Sequence, residues 1–173
     1  MDTPPRIEMR PAQPYVGTRK VMAMRDFDRE IPAMRTVVAR WLDNHGVRPS
    51  GQPFLRFHAI DMPERMDVEV GMPTEQAHGA SGEVESGLLP AGRYAVMVYT
   101  GVENGVPANT RLLDWIAAQG EQALAHASER SEVFEARYET FLIDAEAEPD
   151  PHRWLFEVAI RCAADQPKER SAT

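Results

Sequence analysis

The chain has 173 residues, of which 43% are hydrophobic and 27% are charged, a composition typical of a water-soluble globular domain. Its net charge of −8 provides no basic surface for nucleic acid, and its apolar runs are too short to cross a bilayer. The first residues, MDTPPRIEMRPAQP, lack the apolar core of a secretory signal, and the single cysteine, Cys162, cannot form an internal disulfide. We therefore expect a cytoplasmic protein that neither contacts DNA directly nor enters a membrane.

The first half of the chain is predicted to form a strand, a helix and two further strands. Residues 1–4 are expected to be disordered, and a strand pattern follows near residues 15–24. Apolar residues recur at helical spacing through IPAMRTVVARWLDNHG, where Gly46 can provide the left-handed cap that ends a helix. QPFLRFHAID and RMDVEVGMP then indicate two strands joined by a turn at Pro63 and Glu64. The polar segment TEQAHGASGEVESG predicts a linker or a long loop.

The second half repeats this order of elements. GRYAVMVYTG indicates a strand, VPANTRLLDWIAAQG a helix, and ARYETFLID and WLFEVAIRC two strands that can pair across a long turn. Short motifs recur in the same order in both halves: IPAM and VPAN, WLDNHG and WIAAQG, HAID and FLID, DVEVGMP and FEVAIRC. We therefore predict an α+β fold built by tandem duplication of a strand–helix–strand–strand unit. Its single domain would extend over 1–163, with halves at about 5–73 and 88–163, before a flexible tail at 164–173.

Two glutamates occupy similar strands, and the alternation of side chains along a strand predicts the face that each one takes. The apolar residues of WLFEVAIRC would pack against the helices, which leaves Glu157 and Ala159 on the uncovered face. Glu69 takes the corresponding face in the first half, where a surface or interface ion pair is the favoured interpretation. With helices on the outside of both halves, the uncovered faces form a central cleft that can hold a ligand. Glu139 joins Glu157 there if the last two strands pair in the appropriate register, which spacing alone does not determine.

These features resemble the GyrI-like (gyrase-inhibitor-like) effector-binding domain, which also occurs behind the DNA-binding modules of MerR-type and AraC-type multidrug regulators. The resemblance rests on PYVGTR, GQPFLRFHAIDM, DVEVGMP, GLLPAGRYAVMVYTG and EPDPHRWLFEVAIRC, within residues 6–163. It implies two pseudo-symmetric halves around a central cleft. No helix-turn-helix pattern precedes Tyr15 and no basic recognition helix follows Cys162, so we expect any role in transcription to need a protein partner.

In multidrug-sensing members of this family, a glutamate of the last strand lies at the bottom of the cleft among aromatic residues and attracts cationic aromatic drugs. Glu157 takes that motif position here, and Ala159 shares its face. Tyr99, Trp115 and Phe141 are candidate rings for stacking or cation–π contact with the ligand, while the apolar helix face of Trp115 favours packing in the core as its default interpretation. The resemblance therefore predicts a stand-alone sensor or sequestering protein that binds amphipathic, cationic or aromatic small molecules without a cofactor.

A second hypothesis is hydrolysis, although we favour a binding protein over an enzyme. Some stand-alone relatives resemble hydrolases that open cyclopropane-bearing compounds with a glutamate and an aromatic hydroxyl in an E-x-Y-L-x-D pattern. Glu139 is retained in ETFLID, but Phe141 replaces the tyrosine and cannot donate a proton. In this hypothesis Glu139 or Glu157 activates water. Three residues are candidates to replace the missing proton donor: Tyr138, Tyr99 and His58.

A third hypothesis is a modulator that binds another protein through its surface, in the manner of the gyrase-inhibiting relatives. The sequence offers little support for other chemistry, because its five histidines show no metal-ligand spacing and only one cysteine is present. His58 is interpreted as a satisfied core histidine and not as a catalytic base. The chain also has no P-loop, dinucleotide fingerprint or G-x-S-x-G motif. We therefore expect no metal and no cofactor.

Overall fold

A computed structural model describes residues 1–61 and 63–165 of the chain. Its two long helices are α1, Phe27–His45, and α2, Gly105–Ala118. Ten strands are arranged around them in chain order: β1 (Arg6–Arg10), β2 (Gln13–Met22), β3 (Phe54–Asp61), β4 (Arg65–Pro73), β5 (Glu85–Leu89), β6 (Gly92–Thr100), β7 (Ala125–Ala127), β8 (Glu132–Phe134), β9 (Arg137–Ile143) and β10 (Leu155–Cys162).

The strands form one antiparallel sheet in the order β1-β6-β10-β9-β3-β4-β2-β5. β9 and β3 meet at its centre, where Leu55 pairs with Glu139. β2, β4 and β3 come from the first half and β6, β10 and β9 from the second, so the order on one side of the centre mirrors the other. The short hairpin β7–β8 extends the sheet beside β3. Each half thus contains the predicted strand–helix–strand–strand order, while its origin by duplication stays a prediction.

Both helices cover the same face of the sheet. Met34 of α1 and Leu112 of α2 belong to one apolar core with Val68, Val158 and other alternate residues of the strands. Burial of these side chains supplies the main driving force for docking the helices. Gly46 ends α1 in the left-handed conformation with φ 63°, as predicted. We call the opposite, curled face of the sheet the concave face, because residues of the outer strands β1 and β5 meet residues of the central strands there around one pocket.

Two edge strands were not predicted from hydrophobic periodicity. β1 precedes β2 in the chain but pairs with β6, whereas β5 precedes β6 but pairs with β2. The first strand of each half therefore pairs with a strand of the other half. β5 begins inside the segment predicted as a linker. The expectation of disorder for residues 1–4 is also wrong, because Thr3 exchanges hydrogen bonds with Val98 beyond the end of β1.

The predicted flexible tail, 164–173, falls mainly on residues 166–173, which lie outside the described part of the chain. Within the described residues, no helix is both long enough and apolar enough to span a bilayer.

Candidate functional site

Four aromatic rings form a continuous floor on the concave face. Tyr15 and Phe54 come from the first half, and Tyr94 and Tyr138 from the second. Phe54 meets Tyr15 edge-on at 4.9 Å between ring centres and meets Tyr138 at 5.6 Å, while Tyr138 meets Tyr94 at 5.9 Å. All four side chains are buried. The rings therefore cross the junction between the halves without interruption.

A pocket of about 220 Å³ lies above this floor. Both halves contribute to its lining, which combines aromatic rings with a few polar side chains: Arg10, Gln13, Gln52, Phe54, Leu89, Tyr94, Tyr138, Thr140 and three prolines. Such a mixture is usual in sites for small organic molecules. A wider groove of about 430 Å³ lies beside β7 and β8, but no Phe, Tyr or Trp lines it. The pocket on the concave face is therefore the candidate site.

Arg10 and Glu157 form an ion pair at the side of this pocket. Arg10 Nη2 donates to Glu157 Oε1 at 2.6 Å and to Glu8 Oε2 at 2.8 Å, while Nη1 donates to the Tyr138 hydroxyl at 2.9 Å. Arg6 approaches the other oxygen of Glu157 to 3.8 Å. Burial alone would raise the pKa of Glu8, but the hydrogen bonds from Arg10 and Arg6 lower it. The carboxylate predicted to receive a cationic ligand is thus already paired within the protein.

Glu69 is the more buried of the two similar glutamates, which corrects the expectation of a surface ion pair. Its side chain is 6% exposed, compared with 16% for Glu157. Glu69 Oε1 accepts a hydrogen bond from the Tyr15 hydroxyl at 2.6 Å and contacts His58 Nε2 at 2.8 Å. Burial alone would raise the pKa of Glu69, but the bonds from His58 and Tyr15 lower it. The first glutamate is therefore satisfied by its own half, with His58 as its partner.

Glu139 does not face the concave pocket, so the expectation that it joins Glu157 there is wrong. In the register of β9 with β10 it lies opposite Val158, whose side chain belongs to the core beneath the helices. Its carboxylate accepts hydrogen bonds from the Tyr99 hydroxyl at 3.0 Å and from Asn109 of α2 at 2.5 Å. Burial raises the pKa of Glu139. A glutamate–tyrosine pair is therefore present, but it lies inside the core and away from the pocket.

The structure divides the other predicted ligand-binding residues between the two faces. Phe141 and Tyr99 belong to the helix-covered core, and Trp115 packs against that core from α2. Ala159 lies on the concave face in the aromatic cluster that contains Tyr94 and Tyr138. Of the six predicted residues, only Glu157 and Ala159 lie on the same side of the sheet as the pocket. Their part in ligand binding stays a prediction.

Arg10, Phe54 and Tyr94 line the pocket but were not among the predicted site residues. A sequence signal for part of this site exists, because RPAQPY and LPAGRY share Pro-Ala followed by a tyrosine three positions later. The two copies place Tyr15 and Tyr94 on the floor, and both prolines, Pro11 and Pro90, line the pocket. Arg10 stands directly before the first copy, where the second has Leu89.

Among residues 1–61 and 63–165, no group of three or more His, Cys, Asp or Glu side chains is placed to hold a metal ion. The arrangement offers stacking surfaces, hydrogen-bonding groups and one paired charge. Such groups bind and orient a molecule.

Comparison with known families agrees with this description. Residues 3–162 match the family described as the GyrI-like small molecule binding domain. The chain belongs to this family. The match confirms the resemblance noted in the sequence. No match was found among proteins of curated function.

Solved structures show the same fold as this GyrI-like domain. The C-terminal domain of EcmrR superposes with a TM-score of 0.76 at 12% identity, over 94% of this chain and 98% of that one. Against the longer EcmrR chain in its DNA complex the TM-score is 0.77 at 15% identity; the match covers 92% of this chain and 57% of the longer one. SAV2435, solved with bound tetraphenylphosphonium, gives 0.56 at 10% identity over 93% and 94% of the two chains. A hydrolase from Listeria innocua gives 0.58 at 9% identity over 92% and 91%.

Proposed function

We propose that this GyrI-like domain binds amphipathic small molecules with an aromatic body in the pocket on the concave face, as a sensor or sequestering protein. The observation that carries the proposal is the floor formed by Phe54, Tyr138 and Tyr94 beneath a pocket of about 220 Å³. A planar ring can stack on this floor or meet it edge-on. Thr140 and Gln13 supply polar groups that can orient the ligand.

Two further observations support a small-molecule ligand. The family to which the chain belongs is described by small-molecule binding. A protein with the same fold, SAV2435, was solved with the aromatic cation tetraphenylphosphonium. The predicted cationic ligand with Glu157 as counter-charge is one form of this proposal, but it requires Arg10 to leave the carboxylate at 2.6 Å.

The same geometry favours binding over hydrolysis. Glu139 is buried in the helix-covered core, and its carboxylate is engaged by Tyr99 and Asn109. Glu157 is engaged by Arg10. Neither carboxylate is therefore free to activate a water molecule in the pocket.

The proposal is tested by calorimetric titration with 2-naphthamide, a neutral aromatic amphiphile. Thr140 lines the pocket, so Thr140→Phe places a ring in the space of the ligand and is expected to weaken binding by about tenfold or more. Leu142 lies two residues further along β9, on the same face but outside the lining, and is 38% exposed. Leu142→Phe is therefore the matched control and should bind like the wild type. No saturable binding by the wild type, or equal binding by the Thr140 variant, contradicts the proposal.

A further inference from the structure

Arg10 is the charged group that the pocket presents to a ligand. Arg10 lines the pocket, and its guanidinium carbon lies 5.9 Å from the centre of the Tyr94 ring, whereas Glu157 is not part of the lining. Nη2 donates to the two glutamates, and one N–H of Nη1 donates to the Tyr138 hydroxyl. Because each terminal nitrogen of arginine carries two N–H groups, Nη1 retains one for an acceptor on a ligand.

The charges around Arg10 are balanced. Arg6 and Arg10 of β1 face Glu8 of the same strand and Glu157 of β10, with nitrogen–oxygen distances from 2.5 to 3.8 Å. Two positive and two negative side chains leave no net negative charge in this group. A cationic ligand therefore meets no uncompensated carboxylate at this position.

Arginines of neighbouring strands also act on the aromatic floor. The guanidiniums of Arg161, Arg56 and Arg10 all act on the Tyr94 hydroxyl and oppose the effect of burial, which nevertheless raises its pKa to about 12. Arg161 pairs with Glu135 at 2.7 Å. Arg56 donates to the backbone carbonyls of Leu88 and Glu135 and to the Tyr15 hydroxyl, and it also acts on the Glu69 carboxylate to which that hydroxyl donates. The charged groups that act on the Tyr94 hydroxyl are thus cations, whereas Glu69 and Glu157 act on the hydroxyls of Tyr15 and Tyr138.

A ligand cation that takes the place of Arg10 at Glu157 Oε1 must displace the guanidinium, which lies 2.6 Å from that oxygen. That step breaks charge-assisted hydrogen bonds to two carboxylates and a bond to Tyr138. If Arg10 stays, the cation instead lies beside a like charge in a partly buried site. Both routes weaken cation binding, whereas a carboxylate or another acceptor gains the remaining N–H of Nη1.

We infer that Arg10 makes this pocket select aromatic molecules that carry a carboxylate or a comparable acceptor over aromatic cations, an inference that rests on the proposed function. Arg10 neutralises Glu157 through an ion pair within the protein, in the place that a ligand cation would otherwise take. Arg10 ends β1 directly before Pro11, and both residues belong to the pocket lining. The same position in the second half carries Leu89, so the preference comes from one side of the pocket.

The test compares 2-naphthoate with (2-naphthyl)trimethylammonium, which share a ring system and differ in charge. The wild type is expected to bind the carboxylate more tightly by about tenfold or more. Arg10→Met keeps a long apolar side chain, removes the charge and exposes Glu157, so it should reverse the preference. Arg6→Met is the matched control on the same strand, since Arg6 lies 3.8 Å from Glu157 and outside the pocket lining, and it should retain the preference of the wild type.

If the single variant Arg10→Met does not fold, the binding of both probes is measured on the double variant Arg10→Met/Glu157→Gln. It contains neither charge and should bind both probes within about twofold of each other. Tighter binding of the cation by the wild type, or an unchanged preference in these Arg10 variants, overturns the inference. Neutral 2-naphthamide separates this outcome from failure of the proposed function, because the wild type is expected to bind it whatever the charge preference of the pocket, and absence of its binding contradicts the proposed function itself.

Discussion

Phe54 and Tyr138 meet edge to face at 5.6 Å, directly where the two halves of the chain join. The register of β3 with β9 places Phe54 opposite Thr140, so one half supplies one ring and the other half supplies its neighbour. An edge-to-face pair of this kind contributes about 0.5–1.5 kcal/mol beyond the burial of its surface. The pocket floor therefore depends on the contact between the halves.

Phe54→Ala should remove both the contact and part of the floor. Loss of a buried phenylalanine is expected to lower the free energy of unfolding by about 3–5 kcal/mol, measured by urea denaturation. Titration of the folded fraction with 2-naphthamide should show weaker binding. Tyr138→Phe is the control, because it keeps the ring and removes only the hydroxyl that accepts from Arg10. A stability loss for Phe54→Ala no larger than that of the control contradicts this account of the floor.

Glu69→Gln should destabilise the protein at neutral pH and not in acid. The folded-state pKa of Glu69 lies below its ordinary value of 4.5, so its ionised form contributes stability above that value and loses it as the pH falls through the folded-state pKa. We expect a loss of about 1–3 kcal/mol at pH 7, in urea denaturation, that shrinks toward acid pH. Glu64→Gln provides the control, since that side chain is 69% exposed. A loss that does not change with pH argues against an ionised Glu69.

Glu139→Gln should show the opposite dependence on pH. The folded-state pKa of Glu139 is raised by burial, so the wild type is at its most favourable below the ordinary value of 4.5 and loses stability as the pH rises through the folded-state pKa. The glutamine carries no charge to bury. The variant should therefore gain stability relative to the wild type between pH 5 and pH 8, in urea denaturation at each pH. A difference that stays constant over this range rejects the assignment.

Gly71→Ala should disturb the aromatic floor directly. An added Cβ at Gly71 would lie 2.3 Å from Cζ of Phe54, which is shorter than any van der Waals contact. We expect a loss of about 1–3 kcal/mol from overpacking, together with weaker binding of 2-naphthamide. Gly79→Ala is the matched control, because nothing lies within 4 Å of its added Cβ. Equal stability of the two variants shows that the Phe54 ring can move away at no cost.

Alternation along the strands predicted the faces of β4 and β10 because each has one continuous apolar side, Val68 and Val70 in one and Val158 and Ile160 in the other. The same rule left Glu139 open, since its face depends on the register across the long turn before β10. Arg137 and Phe141 lie two residues to either side of Glu139 in β9 and also face the helices. Because Arg137 and Glu139 are charged, this face of β9 lacks the continuous apolar pattern that marks a core face in β4 and β10.

The partner of Glu157 could not be predicted from the sequence. Arg10 lies 147 residues away from it, on a five-residue strand of mixed burial. Such a strand carries no clear periodicity, and its pairing with β6 and not with β2 follows from the exchange of first strands between the halves. The burial of Glu69 could not be predicted for a similar reason, because its partners Tyr15 and His58 lie on other strands.

The exchange of β1 and β5 makes the two halves depend on each other for their outer edges. Removal of either half would leave β2 or β6 with a row of unpaired backbone groups. Neither half is therefore expected to unfold while the other stays intact, and denaturation should be a single cooperative transition. Arg10 belongs to β1, one of the two exchanged strands. The charge that faces the ligand is therefore in place only when both halves have assembled.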